Sequence, residues 1–222
     1  TRYGSGAVYF LDQGTVTNCN FVNNSASTHG GAVYFYGEGN VSNCNFTGNT
    51  ATGDGGAINM GSGSVSNCNF INNTASQWGG AIRFSSTGAV TNCTFINNAA
   101  RMGGSIRFDS QQSNVVIKNC DFIKSSANNG GAIYIPQDSA TVQLNNFTNN
   151  TAKNGGAIYV GANSVTITKN NFTNNTAKNS GGAIYTNSSF SGGKITSSDF
   201  TQNHADYGGA IYAGSAGSGT SH

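Results

Sequence analysis

Gly155-Gly156-Ala157-Ile158-Tyr159 is the stretch that decides the fold of this 222-residue chain. The same five residues stand at Gly130–Tyr134, Gly181–Tyr185 and Gly208–Tyr212. Near copies stand at Gly30–Tyr34, Gly55–Asn59, Gly79–Arg83 and Gly103–Arg107, and a degenerate copy, split by Ser5, opens the chain at Gly4–Tyr9. The alanine position (Ser105 in one copy) recurs every 24 to 27 residues from Ala7 to Ala210. Self-similarity at that period along a whole chain is the signature of a solenoid, in which each repeat packs only on its neighbours.

A second phrase alternates with the first. It reads Val-Thr-Asn-Cys-Asn-Phe at Val16–Phe21 and recurs to Ile195–Phe200, always with five residues from the β-branched residue to the Phe. The distance from the alanine to that β-branched residue varies between 8 and 12, so insertions collect in one connection per repeat. Short β-branched and aromatic runs bounded by Gly and Asn are strand and turn chemistry. Alternation along a strand places Val33 and Phe35, or Ile82 and Phe84, inward and the residue between them outward. Cys68 and Phe70 share a face in the same way, while Val65 lies an odd step before Cys68. The intervening Asn (Asn18, Asn43, Asn67, Asn92, Asn119) is therefore expected to turn the chain. A second Asn series, Asn24, Asn49, Asn73 and Asn98 and on to Asn203, is expected at another bend, with its amides stacked along the axis. These expectations add up to an all-β right-handed parallel β-helix with three short strands per coil and about eight to nine coils. A leucine-rich repeat has a similar period, but only Leu11 and Leu144 are present.

Composition limits the function. Charged residues make up 8% of the chain and the net charge is +2, which argues against strong electrostatic recognition of nucleic acid. No apolar run is long enough to span a membrane. Little Lys or Glu, with much Asn, Gly, Ser and Thr, suits an extracellular or cell-surface protein. The start at Thr1 reads as a mature product or a fragment.

Phe-x-x-Asn, as at Phe21–Asn24, Phe70–Asn73 and Phe172–Asn175, paired with Gly-Gly-Ala-[Ile/Val], resembles the repeat of the polymorphic outer membrane protein family of chlamydiae. The same pair resembles repeats of adhesin-like surface proteins of methanogenic archaea. The pattern departs at Ser125, where Asn is expected, and at Ser105, where Ala is expected. The resemblance covers Tyr3 to Tyr212 and implies a right-handed β-helix displayed at a cell surface, often adhesive. No C-terminal membrane β-barrel of the chlamydial kind follows the repeats in this sequence.

The outward position of the first phrase forms the column Tyr9, Tyr34, Asn59, Arg83, Arg107, Tyr134, Tyr159, Tyr185 and Tyr212. Tyr and Arg are favoured at interaction hot spots, and Tyr also suits any sheet surface. Tyr34, Arg83, Arg107, Tyr134, Tyr159 and Tyr185, with Trp78 just before a glycine pair, are the candidate binding residues for a sugar or a protein. Five cysteines, Cys19, Cys44, Cys68, Cys93 and Cys120, fall one per coil without metal spacing and are expected to be reduced core residues. The eight acidic residues are scattered and form no evident catalytic pair. No catalytic residue, metal or cofactor is expected. Among the Asn-x-Ser/Thr sequons, Asn23, Asn72, Asn149 and Asn174 are candidate glycosylation sites.

The expected function is a non-enzymatic structural or adhesive solenoid, a surface stalk or fibre subunit. Copies are expected to associate end to end, or the chain to be a slice of a longer parent. A surface glycan or a host or cell-surface protein is the other partner to expect. A carbohydrate-binding module using the Tyr/Arg column is the alternative, followed by a polysaccharide lyase or hydrolase. One repeat domain is expected over residues 1–213, with a flexible Gly/Ser-rich tail over 214–222.

Overall fold

The computed structural model describes residue 4 and residues 6–109, 115–136, 139–187, 190 and 192–214. The Gly/Ser tail expected beyond residue 214 lies outside them. The described chain is a right-handed parallel β-solenoid of about eight turns. Every strand pair is parallel and joins residues one coil apart. Coils are numbered here from each glycine pair: coil 1 is 4–29, coil 2 is 30–54, coil 3 is 55–78, coil 4 is 79–102, coil 5 is 103–129, coil 6 is 130–154, coil 7 is 155–180 and coil 8 is 181–207.

Three left-handed residues bend each coil into a triangle. The first is the leading glycine of the pair, with φ between 60° and 67° from Gly30 to Gly208. The second precedes the Cys position: Asn in coils 1 to 5, as at Asn43 (φ 54°) and Asn92 (φ 53°), then Leu144, Lys169 and Ser197 in coils 6 to 8. The third is the residue two after the Phe: Asn23, Gly48, Asn72, Asn97, Lys124, Asn149, Asn174 and Gln202. The last corner therefore falls one residue earlier than the Asn24 series to which the sequence assigned it. Asn and Gly populate this region at least cost.

The sides of the triangle are unequal. The long side carries two strand segments, which fuse into single strands at Val33–Ser42 and Ile58–Ser66, so both stacks belong to one 15-stranded sheet. The Phe side is an eight-stranded sheet. The third side is narrow: a three-stranded piece and a two-stranded piece are joined by single bridges through Ala99 and Ser126. Three bends hold as expected, but a coil has up to four strand segments rather than three.

Like stacks on like inside. Phe21 through Phe200 form a ring stack at 4.8–5.0 Å, and most of these rings are fully buried. Ile58, Ile82, Ile106, Ile133, Ile158 and Ile184 are also fully buried. The Asn49 side chain shows how the buried amide ladder works. Its Oδ1 accepts from the backbone N–H and the Nδ2 of Asn24, both at 3.0 Å, and its Nδ2 donates to the Phe21 carbonyl at 3.0 Å. Backbone groups that would otherwise be orphaned at the bend are satisfied in this way.

Ser125 breaks this ladder and Ser105 breaks the alanine column, and the two hydroxyls meet at 2.7 Å in one coil. The cysteines are free thiols, buried except for half-buried Cys19. The Cys44 N–H donates to Cys68 Sγ at 3.4 Å, and the Cys120 N–H donates to Asn145 Oδ1 at 2.9 Å. Cys, Asn and Ser interchange at this position because each offers an acceptor to the N–H of the coil before. Burial pushes the Cys44 thiol up.

Candidate functional site

The candidate binding residues of the column lie where alternation puts them, half-buried on the outside of the long side, and Trp78 is half-buried just before the Gly79 corner. Arg83 pairs with Asn59 and Arg107, Tyr134 with Arg107 and Tyr159, and Tyr185 with Tyr159 and Tyr212. Tyr34 pairs with Asn59 in the same column. The tyrosines are not laid flat on the surface. Tyr134–Tyr159, Tyr159–Tyr185 and Tyr185–Tyr212 stack face to face at 4.8, 4.7 and 5.2 Å, and Tyr9–Tyr34 stack at 5.0 Å. Within a stack the ring faces cover one another, so edges and hydroxyls face solvent. Burial, then the neighbouring tyrosines, push the Tyr159 phenol up to about 12. Burial also raises Tyr134, against the opposing pull of Arg107.

Coils 3 to 5 replace the rings with a polar cluster. Asp109 takes Arg107 Nε on Oδ1 at 2.5 Å and Arg83 Nε on Oδ2 at 2.7 Å, with Arg83 Nη2 also on Oδ2. The Arg107 guanidinium lies 3.8 Å from the Trp78 ring centroid and 5.0 Å from that of Tyr134. Its Nη1 reaches Met102 Sδ at 3.0 Å, and Arg83 Nη1 reaches Asn59 Oδ1 at 3.3 Å. Two guanidiniums share one carboxylate, which leaves one unit of positive charge over an indole face, a cation–π arrangement. Trp78, Arg83 and Arg107 are thus brought together as the sequence suggested. Asp109, Asn59 and Met102 complete the cluster. The even spacing of Arg107 and Asp109 in the sequence suggests a surface pair, and the two do pair.

A second polar spot adjoins it. Asp54 Oδ2 lies 3.3 Å from His29 Nδ1, and Asp54 Oδ1 and Asn59 Nδ2 are buried with no partner among the described residues. Among the described residues, no three His, Cys, Asp or Glu side chains group as a metal site would require, and no helix is long and apolar enough to cross a membrane.

The sequon residues share one edge. Asn23, Asn72, Asn149 and Asn174 all occupy the left-handed corner after the Phe side. Asn23, Asn72 and Asn174 are exposed and Asn149 is half-buried. Asn174 Nδ2 donates to Asn149 Oδ1 at 2.6 Å. The middle sequon residue is in each case a ladder Asn.

A family model for the right-handed β-helix region matches residues 5–172. The chain belongs to that family. In the same comparison, residues 171–187 and 197–214 match the Chlamydia polymorphic membrane protein repeat, so the last coils of this β-helix are similar to that repeat. No curated protein matches the chain. No solved structure matches it.

Proposed function

We propose that this β-helix is a non-enzymatic structural rod of a cell surface, adhesive along its length. The observation that supports it most is the set of axial ladders, an unbroken Phe stack and β-branched column beside an Asn ladder broken only at Ser125. They make a stiff body whose successive coils differ little in their interior. The likeness of the last coils to a surface-protein repeat points the same way. Axial continuation, either by further coils of a parent chain or by a second copy, belongs to the same reading. Parallel strands at a coil end offer unpaired edges to whatever stacks there. Glycans on Asn23, Asn72 and Asn174 would project from one edge and leave the sheet faces clear.

Electron microscopy of the purified chain tests the rod. Eight coil steps correspond to a body roughly 40 Å long, or to filaments of that unit. Compact spheres would refute it. Release of new reducing or unsaturated ends from a panel of polysaccharides would refute the non-enzymatic part.

The Trp78–Arg107 cluster supports a second reading, a carbohydrate-binding face on the outward column. It predicts that Trp78→Ala abolishes glycan capture while the rod stays intact. Unchanged capture would remove that face from consideration.

A further inference from the structure

The net charge of +2 conceals an uneven distribution. Residues 4–82 contain no Lys or Arg and three acids, whereas residues 83–194 hold nine cations against three acids, a net of +6. Two of the nine, Arg83 and Arg107, are engaged by Asp109. Among the others, Arg101, Lys153 and Lys178 follow one edge of the narrow third side, all exposed. Asn128 stands between the first two. Its N–H donates to the Arg101 carbonyl at 2.9 Å, and the Lys153 N–H donates to the Asn128 carbonyl at 2.8 Å. Lys178 follows beside the irregularity that separates the Ala152–Ala177 pair from the Asn154–Ser180 pair. The row ends one coil later at Asp206.

This row begins, at Arg101, beside the point where the third side thins to single bridges. Strands end at Ala75 and resume at Thr151, and coils 4 and 5 cross the gap with Ala99, Ala100, Ser126 and Ala127. The small side chains leave a shallow open groove of about 340 Å³, lined among others by Ser76, Ala100, Arg101, Ser126 and Asn128. Its floor is small and hydroxylated, and Arg101 on its border begins the row that continues axially past it to Lys153 and Lys178.

We propose that this groove and its row of cations bind an acidic polysaccharide, with Arg101, Lys153 and Lys178 meeting its carboxylates or sulfates. Ser76, Ser126 and Asn128 would hydrogen-bond its hydroxyls. The cation spacing favours this partner. Arg101 and Lys153 are two coil steps apart and Lys153 and Lys178 one, so roughly 5–10 Å separates successive charges. A sugar residue within a polysaccharide is close to one coil step long, so anionic groups on every residue or every second residue meet the row in register. Duplex DNA presents a charge every 1.7 Å or so of its axis, far denser than this row. Binding of single strands relies on open aromatic faces, and the tyrosine faces here cover one another within their stacks. The site is separate from the Tyr/Arg column. It adds a ligand to the rod reading without depending on it: rods that bind no polyanion leave that reading intact.

The test is binding of the full chain to alginate, to dextran sulfate and to neutral dextran, with duplex DNA and anionic phosphatidylserine vesicles alongside. Alginate, dextran sulfate or both should bind, more weakly as NaCl is added, and neutral dextran should not. The comparison of alginate with dextran sulfate identifies carboxylate or sulfate as the preferred anion. The triple variant Arg101→Gln, Lys153→Gln, Lys178→Gln should weaken binding by about tenfold or more. The variant Lys118→Gln, Lys124→Gln, Lys169→Gln removes equal charge from other sides of coils 5 and 7 and should bind within about twofold of the unsubstituted chain. Ser76→Tyr, which obstructs the groove without changing charge, should also lose affinity. Equal losses from the two triple variants, full binding by Ser76→Tyr, or tighter binding to DNA or vesicles than to either polyanion would overturn the proposal. So would no binding to either polyanion.

Discussion

The two glycines of each pair do different jobs. Gly103 is left-handed, with φ 65°, and turns the corner. Gly104 has no such conformation, but a Cβ built there would lie 2.0 Å from the carbonyl oxygen of Gly131 in the next coil. The obstacle is backbone, which cannot move aside without parting the coils. Gly104→Ala should therefore cost about 3 kcal/mol or more, measured by urea unfolding. Asn97→Ala, at an exposed left-handed corner, should cost only about 1–2 kcal/mol. Equal effects would mean the second glycine is there for conformation rather than contact. The tyrosine stack makes a separate prediction at this scale. The Tyr159 phenol is held neutral up to about 12 by burial and by its neighbours. A folded pKa above the unfolded value of about 10 contributes stability that is complete below pH 10 and lost as the pH rises towards 12. Tyr159→Phe should therefore flatten the alkaline fall in stability, and ultraviolet titration should show Tyr159 ionising after ordinary tyrosines. A titration in which all tyrosines ionise together near 10 would contradict this.

At the scale of the strand and its neighbours, departures from the repeat are informative. Ser105 and Ser125 each look like a defect, one lost alanine and one lost ladder amide. Their hydroxyls bond within a single coil, so each explains the other. Ser105→Ala and Ser125→Asn should each destabilise, and the double substitution, which restores the repeat, should recover most of the loss. The coupling energy is expected at about 0.5–3 kcal/mol in a double-mutant cycle; simple additivity would refute the pairing. Much of this level was legible beforehand. Period-two alternation identified the inward Ile, Phe and Cys and the outward Tyr, because a one-residue slip would invert both faces. The third corner was misplaced by one residue because several coils carry Asn at both positions, as at Asn23 and Asn24. Gly48 and Lys124 were the clues: neither is an amide, so the Asn of that series belongs one residue on.

At the scale of the whole molecule, sequence patterning gave the rod and its repeat, while the chemistry of its surface depended on coil register. Trp78, Arg83 and Arg107 could be picked out, yet that both arginines close on Asp109 follows only from the stacking of coil 4 against coil 5. The overall charge likewise gave no sign that cations gather from coil 4 onward, because the axial position of a residue matters only once the coils are stacked. Nearest-neighbour stacking has one further consequence. If each coil recognises only the ladders of the next, one coil can be removed without altering the rest. Deleting residues 155–180 would bring coil 6 directly onto coil 8. Phe147 would meet Phe200, Ile133 would meet Ile184, Tyr134 would meet Tyr185 and the Asn150 amide would meet Asn203, each pair being alike or closely so. The shortened chain should keep the circular dichroism of the parent. Its long dimension should fall by about 4.8 Å in small-angle scattering. Its unfolding should remain cooperative at slightly lower denaturant, since one interface is lost and the others are unchanged. An unfolded product would show that long-range features outside the ladders specify this rod.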